Sequence, residues 1–163
     1  MTPFFWRDSS TRIFSVAWWI LAVGRCRAFS VFPVSLGAAL NPDDANRPYP
    51  VAVRVYQLKD RKRFDAASYD DLLKDDQTVL AEDLQASIAT VVNPGAAACV
   101  SQPMRRDTQY VAVVAFYRKP DANGTWRRVV QRKHLSADAP LKFDLVENEL
   151  LASAGVPAER PAR

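Results

Sequence analysis

Residues 51–58 read VAVRVYQL, a β-branched run that puts Val51, Val53 and Val55 on one face of an extended strand. A side-chain period of two is typical of a strand with one face buried. β-branched side chains also fit the pleated surface of a sheet. This stretch therefore predicts a sheet as the basis of the fold, and the segments around it extend that prediction.

The same kind of pattern predicts strands on both sides of this run. Residues 110–117 (YVAVVAFY) are apolar on both faces, which indicates either a central strand covered on two sides or a sandwich strand with one face partly exposed. The segment PDANG at 120–124 follows, and its Asn-Gly pair favours the positive φ of a hairpin turn. The other predicted strands are 31–40, 86–92, 97–101, 126–133 and 141–145.

One segment changes to a helical period. In residues 68–76 (SYDDLLKDD) the apolar side chains have helical spacing, and Ser68 followed by Asp71 matches a capping box. Residues 80–84 favour a further short helical turn. Seven predicted strands with one helical insertion indicate a mainly β fold, a β-sandwich.

The composition is that of one globular domain. The chain has 163 residues, a formal net charge of +4, 48% hydrophobic residues and 25% charged residues. Because basic residues only slightly outnumber acidic ones, we expect no nucleic-acid binding. One histidine, His134, and two cysteines are too few for a Cys/His metal cluster. We therefore expect no catalytic site, no metal site and no enzymatic activity.

The N-terminus has the anatomy of a secretory signal. Arg7 and Arg12 precede residues 13–24 (IFSVAWWILAVG), an uncharged apolar run. A membrane-spanning helix needs about 20 apolar residues, so this run is too short to be one. A buried helix of the folded domain is the alternative interpretation of the same residues.

Cys26 follows this run closely, as in a bacterial lipobox, whose cysteine is acylated. Val23 and Gly24 are compatible with such a box, whereas Arg25 is a bulky cation at a position that usually holds a small residue. The alternatives are cleavage at another bond, an uncleaved anchor or a misassigned start codon. A disulfide between the two cysteines is allowed by count, but the apolar run beside Cys26 favours a membrane role. Cys99 lies in a weak predicted strand among small residues, and we expect it to be a buried thiol.

The chain divides into a targeting segment at 1–25, a β-sandwich domain at 26–151 and a flexible, Pro-rich tail at 152–163. Within the domain, the loop 41–50 (NPDDANRPYP) has no apolar periodicity. Its prolines limit the backbone entropy lost on docking, and its charges favour a role in steering a partner. An ordinary connection between strands explains the same residues equally well. Since nothing in the loop is patterned for burial, we expect its replacement to spare folding.

The combination of motifs resembles the type VI secretion system outer-membrane lipoprotein family (the TssJ, SciN or VasD family). The resemblance covers about residues 30–150. It is carried by Asn41-Pro42, VAVRVYQLKD at 51–60, Phe64, SYDDLLKDD at 68–76, Leu80, the Pro94 turn, YVAVVAFYR at 110–118 and Trp126.

This resemblance implies a transthyretin-like β-sandwich with a short helical insertion. It implies an acylated cysteine, here Cys26 with a possible diacylglyceryl group, that holds the protein at the periplasmic face of the outer membrane. The implied partner is the periplasmic C-terminal region of a TssM-type inner-membrane protein, in a complex with a TssL-type protein. No other cofactor is implied.

The family's contact uses the loop between the first two strands. By position, that loop consists here of Asn41, Pro42, Asp43, Asp44, Ala45, Asn46, Arg47, Pro48, Tyr49 and Pro50. The alternative function is a periplasmic or secreted β-sandwich that binds a ligand or assists an enzyme, without a lipid anchor.

Overall fold

The computed structural model describes residues 29–32, 40–135 and 141–152. The described residues form eight strands and two α-helices, with short 3-10 turns at Ala81–Asp83 and Arg132–His134. The strands are β1 (Phe29–Phe32), β2 (Val51–Leu58), β3 (Leu84–Val92), β4 (Ala98–Val100), β5 (Tyr110–Phe116), β6 (Arg127–Gln131), β7 (Leu141–Val146) and β8 (Glu149–Ala152). The helices are α1 (Lys62–Ala66) and α2 (Tyr69–Leu80).

The strands form two four-stranded sheets, in the orders β4-β1-β7-β8 and β3-β2-β5-β6. We call these sheet A and sheet B. All pairings are antiparallel except β1 with β7, which is parallel. The expected mainly β sandwich with a helical insertion is thus confirmed. Most of the strand predicted at 31–40 lies outside the described residues, and β8 has no counterpart among the predicted strands.

A single hydrophobic core joins the two sheets. Sheet B contributes Val53 and Val55, and sheet A contributes Phe143 and Leu145, all at most 1% exposed. Burial of this apolar surface is the main favourable term in folding. The alternating pattern of 51–58 and 141–145 therefore predicted correctly which face of each of these two strands is buried in the core.

The outer face of sheet B is buried as well, beneath the helices. On β5, Val114 pairs with Arg54 and Phe116 with Ala52. The Tyr69 ring of α2 lies 5.6 Å from the Phe116 ring. Val114 and Phe116 are therefore buried against the helical side rather than the sandwich interior, which explains why 110–117 is apolar on both faces.

Helix α2 begins with the predicted capping box. The Ser68 hydroxyl accepts from the Asp71 backbone N–H, and the Asp71 carboxylate accepts from the Ser68 backbone N–H. At Asp75 the backbone leaves helical geometry, with φ −150° and ψ 70°. The Asp75 carboxylate then accepts from the Thr78 N–H, as a cap does, and so restarts the helix.

Tyr69 fixes the start of α2 to sheet B. Its ring meets the Trp126 ring edge-on at 5.0 Å, and its hydroxyl donates to the Tyr117 carbonyl. Burial raises the pKa of Tyr69 to about 12, so this hydroxyl remains a donor at every physiological pH.

Helix α1 was not expected from the sequence, and Arg127 of β6 stabilises its end. The Arg127 guanidinium donates to the Phe64 and Ala67 carbonyls at 3.0 and 2.9 Å. Cations suit this position, because the last carbonyls of a helix lack intrahelical donors.

The targeting segment, Cys26 and the tail from residue 153 lie outside the described residues. Within the described part of the chain, no helix is both long and apolar enough to cross a membrane.

Candidate functional site

The loop 41–50 lies at one end of the sandwich. Beside it are residues 117–126, which connect β5 to β6, and the turn between β7 and β8. We call this the loop end. The loop starts at Leu40, which is buried and whose carbonyl accepts from the Tyr49 N–H at 2.9 Å. The loop therefore closes on itself before the chain enters β2.

Asn41 ties the loop end together. Its side-chain amide donates to the Pro50 carbonyl at 3.0 Å, and its side-chain oxygen accepts from the Arg118 backbone N–H at 2.7 Å. Its own backbone N–H donates to the Glu147 carbonyl. The residue is 3% exposed and has a φ of 50°, which asparagine tolerates better than most residues.

Asp43 orders the middle of the loop. Its carboxylate accepts from the backbone N–H groups of Ala45 and Arg47 at 2.9 and 2.7 Å. It also accepts from the Arg47 guanidinium at 2.8 Å. These bonds, first that from the Arg47 backbone, lower the pKa of Asp43. The carboxylate thus supports a turn that continues to Asn46, whose φ is 58°.

Two contacts connect the loop to the neighbouring connection. Asp44 forms an ion pair with Lys119, and this pairing lowers the pKa of Asp44. The Arg118 guanidinium lies 5.1 Å from the centre of the Tyr49 ring, within the range of a cation–π contact. The loop end therefore presents residues from two chain segments as one surface.

The structure separates the predicted loop residues into two groups. Asn41 is buried and Pro42 and Asp43 are half-buried, and the hydrogen bonds of Asn41 and Asp43 hold the loop in shape. The outward-facing, exposed positions are Asp44, Ala45, Asn46, Arg47, Pro48, Tyr49 and Pro50.

Arg118 and Lys119 belong to the same surface, although the sequence analysis did not select them. Their position in the sequence was the signal that could have identified them. They directly follow the central strand β5, and β5 pairs with β2, which begins where the loop ends.

The expectation of a buried Cys99 was wrong. Cys99 is exposed on β4 and is disulfide-bonded. The sequence has one further cysteine, Cys26, which lies outside the described residues. Its acylation stays a prediction. In the described ranges, no three or more His, Cys, Asp or Glu side chains are grouped to hold a metal ion.

Comparison with known families identifies a model that covers most of the chain. The family model "Type VI secretion lipoprotein, VasD, EvfM, TssJ" matches residues 32–148. No curated protein matches the chain in sequence.

Several solved structures share the fold. A chain of the structure "Type VI membrane complex" is 32% identical with a TM-score of 0.70, over 76% of this chain and 94% of that one. A chain of the structure "T6SS protein TssM C-terminal domain (869-1107) from EAEC" is 33% identical with a TM-score of 0.69, over 76% and 97%. The T6SS lipoprotein TssJ1 from Pseudomonas aeruginosa is 26% identical with a TM-score of 0.64, over 83% and 95%.

Proposed function

This chain belongs to the type VI secretion lipoprotein family, and we propose that it is a structural, non-catalytic component of the type VI secretion membrane complex. It is held at the periplasmic face of the outer membrane. It binds the periplasmic C-terminal region of a TssM-type inner-membrane protein, in a complex that also contains a TssL-type protein.

The observation that supports the TssM-type partner is a difference in length. The chain matched in the structure named for the TssM domain aligns over 97% of its length with 76% of this chain. It is therefore shorter than 163 residues, whereas the range 869–1107 is longer than that. This favours a family member that accompanies the TssM domain in that structure. By homology, the same partner is proposed here.

The loop end is the proposed contact surface. Tyr49 is 37% exposed although the Arg118 guanidinium lies over its ring. Tyrosine and arginine are enriched among the residues that dominate binding energy at protein interfaces. The neighbouring Asp44, Lys119 and Arg47 supply charges of both signs at the rim, where they act on association rate more than on affinity.

The loop is also held in shape before binding. Asn41 fixes both of its ends, and Asp43 fixes its centre through three hydrogen bonds. A loop that is already ordered loses less conformational entropy on docking. Contact by this loop thus does not require a folding step at the interface.

The proposed anchor is an acyl group on Cys26. A sulfur atom that carries the diacylglyceryl thioether cannot also belong to a disulfide, and Cys99 is disulfide-bonded in the structure. Acylation of Cys26 and a disulfide between Cys26 and Cys99 therefore exclude each other. Non-reducing mass spectrometry of the mature protein distinguishes them. A diacylglyceryl mass on Cys26 supports the anchor, whereas a Cys26–Cys99 peptide supports the unanchored periplasmic alternative.

Binding to the purified periplasmic region of the TssM-type protein tests the contact surface. We expect Tyr49→Ala and Arg118→Ala to weaken binding by at least tenfold each, measured by calorimetry, because each removes half of the exposed aromatic–arginine pair. Leu73→Ala is the matched control. Leu73 is 44% exposed and lies on α2, outside both the loop 41–50 and the connection between β5 and β6.

The opposite pattern of effects would assign the contact surface to α2 instead of the loop end. If Leu73→Ala weakens binding and the two loop-end variants do not, the partner docks on α2. Thermal midpoints of all three variants, unchanged from that of the parent protein, would show that binding and not folding is affected.

A further inference from the structure

The end of the sandwich opposite the loop end carries a group of cations. Arg105 and Arg106 lie in the connection between β4 and β5, and Arg132 and Lys133 directly follow β6. All four side chains are exposed. We call these four residues the basic end.

Backbone and side-chain contacts bring these cations together. The Arg132 guanidinium donates to the Arg106 and Thr108 carbonyls at 2.7 and 3.1 Å. The Arg132 backbone N–H donates to the Gln109 carbonyl at 2.8 Å. The turn at residues 105–108 and the start of the segment after β6 therefore form one surface.

A buried glutamine fixes this surface in place. Gln57 is fully buried at the end of β2. Its amide nitrogen donates to Gln102 and to the Pro103 carbonyl, and its oxygen accepts from the Arg105 N–H and the Thr108 hydroxyl at 2.8 and 3.0 Å. All four hydrogen-bonding positions are filled, which makes the turn a rigid part of the core.

The charges of the basic end are not neutralised within the described part of the chain. Lys62, Arg63 and Lys119 each pair with a carboxylate. None of the four cations of the basic end forms an ion pair with a described carboxylate. Asp107 is the one acidic residue in their turn. The basic end therefore carries more positive than negative charge within its own segments, on side chains that are exposed to an anionic ligand.

The topology puts the N-terminus of the domain at this same end. Phe29, the first residue of β1, pairs with Val100 and Leu141. From Val100 the chain continues into the turn that holds Arg105 and Arg106, and Leu141 is where it returns after Lys133. The entry point of the chain and the basic end thus share one side of the sandwich.

The distance from the proposed anchor to the sandwich is short. Cys26 precedes Phe29 by three positions, and three extended residues span about 10 Å. This reach is close to the Debye length of about 8 Å at physiological ionic strength. An acyl group on Cys26 would keep the basic end within electrostatic range of the lipid headgroups.

We infer that the basic end binds anionic phospholipid headgroups and thereby orients the sandwich, with the loop end pointing away from the membrane. The orientation rests on the proposed anchor at Cys26, whereas the affinity for anionic lipid is a property of the basic end itself. Each cation near an anionic bilayer strengthens binding about fivefold.

Vesicle binding by the full chain tests this inference. The background is Cys26→Ser, so that no acyl group dominates the affinity. Arg105→Gln, Arg106→Gln and Lys133→Gln are combined, and Arg132 is kept because it holds the turn. The matched control removes the same charge elsewhere, with Lys74→Gln, Arg118→Gln and Lys119→Gln. Vesicles contain phosphatidylcholine alone or phosphatidylcholine with phosphatidylglycerol.

We expect the basic-end variant to lose about 100-fold in affinity for the anionic vesicles, because three cations are removed. The control should lose much less, and all proteins should bind neutral vesicles equally weakly. Equal losses in the two variants, or no loss in either, would overturn the inference. Binding to neutral vesicles that matches binding to anionic ones would overturn it too, since the apolar N-terminal run would then account for the affinity. The state of Cys26 is read separately, from the mass of the mature N-terminus, so either proposal can fail alone.

Discussion

The side-chain oxygen of Asn41 accepts a hydrogen bond from the backbone N–H of Arg118 at 2.7 Å, across 77 positions of sequence. This one contact joins the loop before β2 to the connection after β5. It makes the loop a structural part of the sandwich end. The expectation that the whole loop is replaceable without cost to folding therefore does not hold at its first residue.

Asn41→Ala should destabilise the domain by about 2–4 kcal/mol, because it leaves the Arg118 N–H and the Pro50 carbonyl without their partners and strains a positive φ. Urea unfolding measures this loss. Asn46→Ala is the matched control, since Asn46 also has a positive φ but is exposed. If both variants lose the same free energy of unfolding, backbone strain alone explains the effect and Asn41 does not hold the loop.

Loop order should depend on pH through Asp43. Hydrogen bonds to its carboxylate lower its pKa in the folded protein, whereas in the unfolded chain the pKa is about 3.9. The stabilisation is therefore complete above that pH and is lost as pH falls through the lowered pKa. The amide NMR signals of Ala45 and Arg47 should shift together in this acid range. In Asp43→Asn the same signals should show no such transition, and a transition that persists there would assign it to another group.

Asp76 should be the residue that holds α2 on sheet B. Its carboxylate accepts from the Arg54 guanidinium at 3.1 Å and from the Tyr56 hydroxyl at 2.9 Å. Tyr56 is fully buried, so Asp76→Ala removes the acceptor of its hydroxyl and should cost about 1–3 kcal/mol. Asp70→Ala, an exposed position on the same helix, should change stability by less than about 0.5 kcal/mol. Equal effects in urea unfolding would show that the helix does not depend on this contact.

Phe143→Ala should lower the free energy of unfolding by about 3–5 kcal/mol, because the side chain is 1% exposed and its removal leaves a cavity in the core. Leu151→Ala on the adjacent strand is the control, since Leu151 is 39% exposed. A small effect at Phe143 would mean that the register of β7 is displaced by one residue.

Local sequence patterns predicted the elements that have a clear apolar periodicity or a recognisable cap. β2 and the cap of α2 appear where the alternation of 51–58 and the Ser68–Asp71 pair placed them. Helix α1 was missed because KRFDA contains one large apolar residue, Phe64, and so shows no apolar stripe. Strand β8 was missed because its turn uses a positive φ at Glu147, where sequence rules expect glycine or asparagine.

These local patterns could not predict which strands pair with each other, and the reason is physical. A period of two tells which face of a strand is buried, but it does not identify the neighbouring strand. The parallel pairing of β1 with β7 joins segments from opposite ends of the chain. For the same reason the loop 41–50 could be selected, while its neighbours Arg118 and Lys119 and the burial of Asn41 could not.

The position of β1 has a mechanical consequence. This strand lies inside sheet A, with ladders to β4 on one side and β7 on the other. Tension that enters at Phe29 and leaves at the loop end runs along the strand axis, across hydrogen bonds that are perpendicular to β1 on the antiparallel β4 side and slanted on the parallel β7 side. Such a load shears the bonds together instead of opening them one at a time. A domain suspended from a membrane and pulled from its far end would therefore resist extension at its first strand.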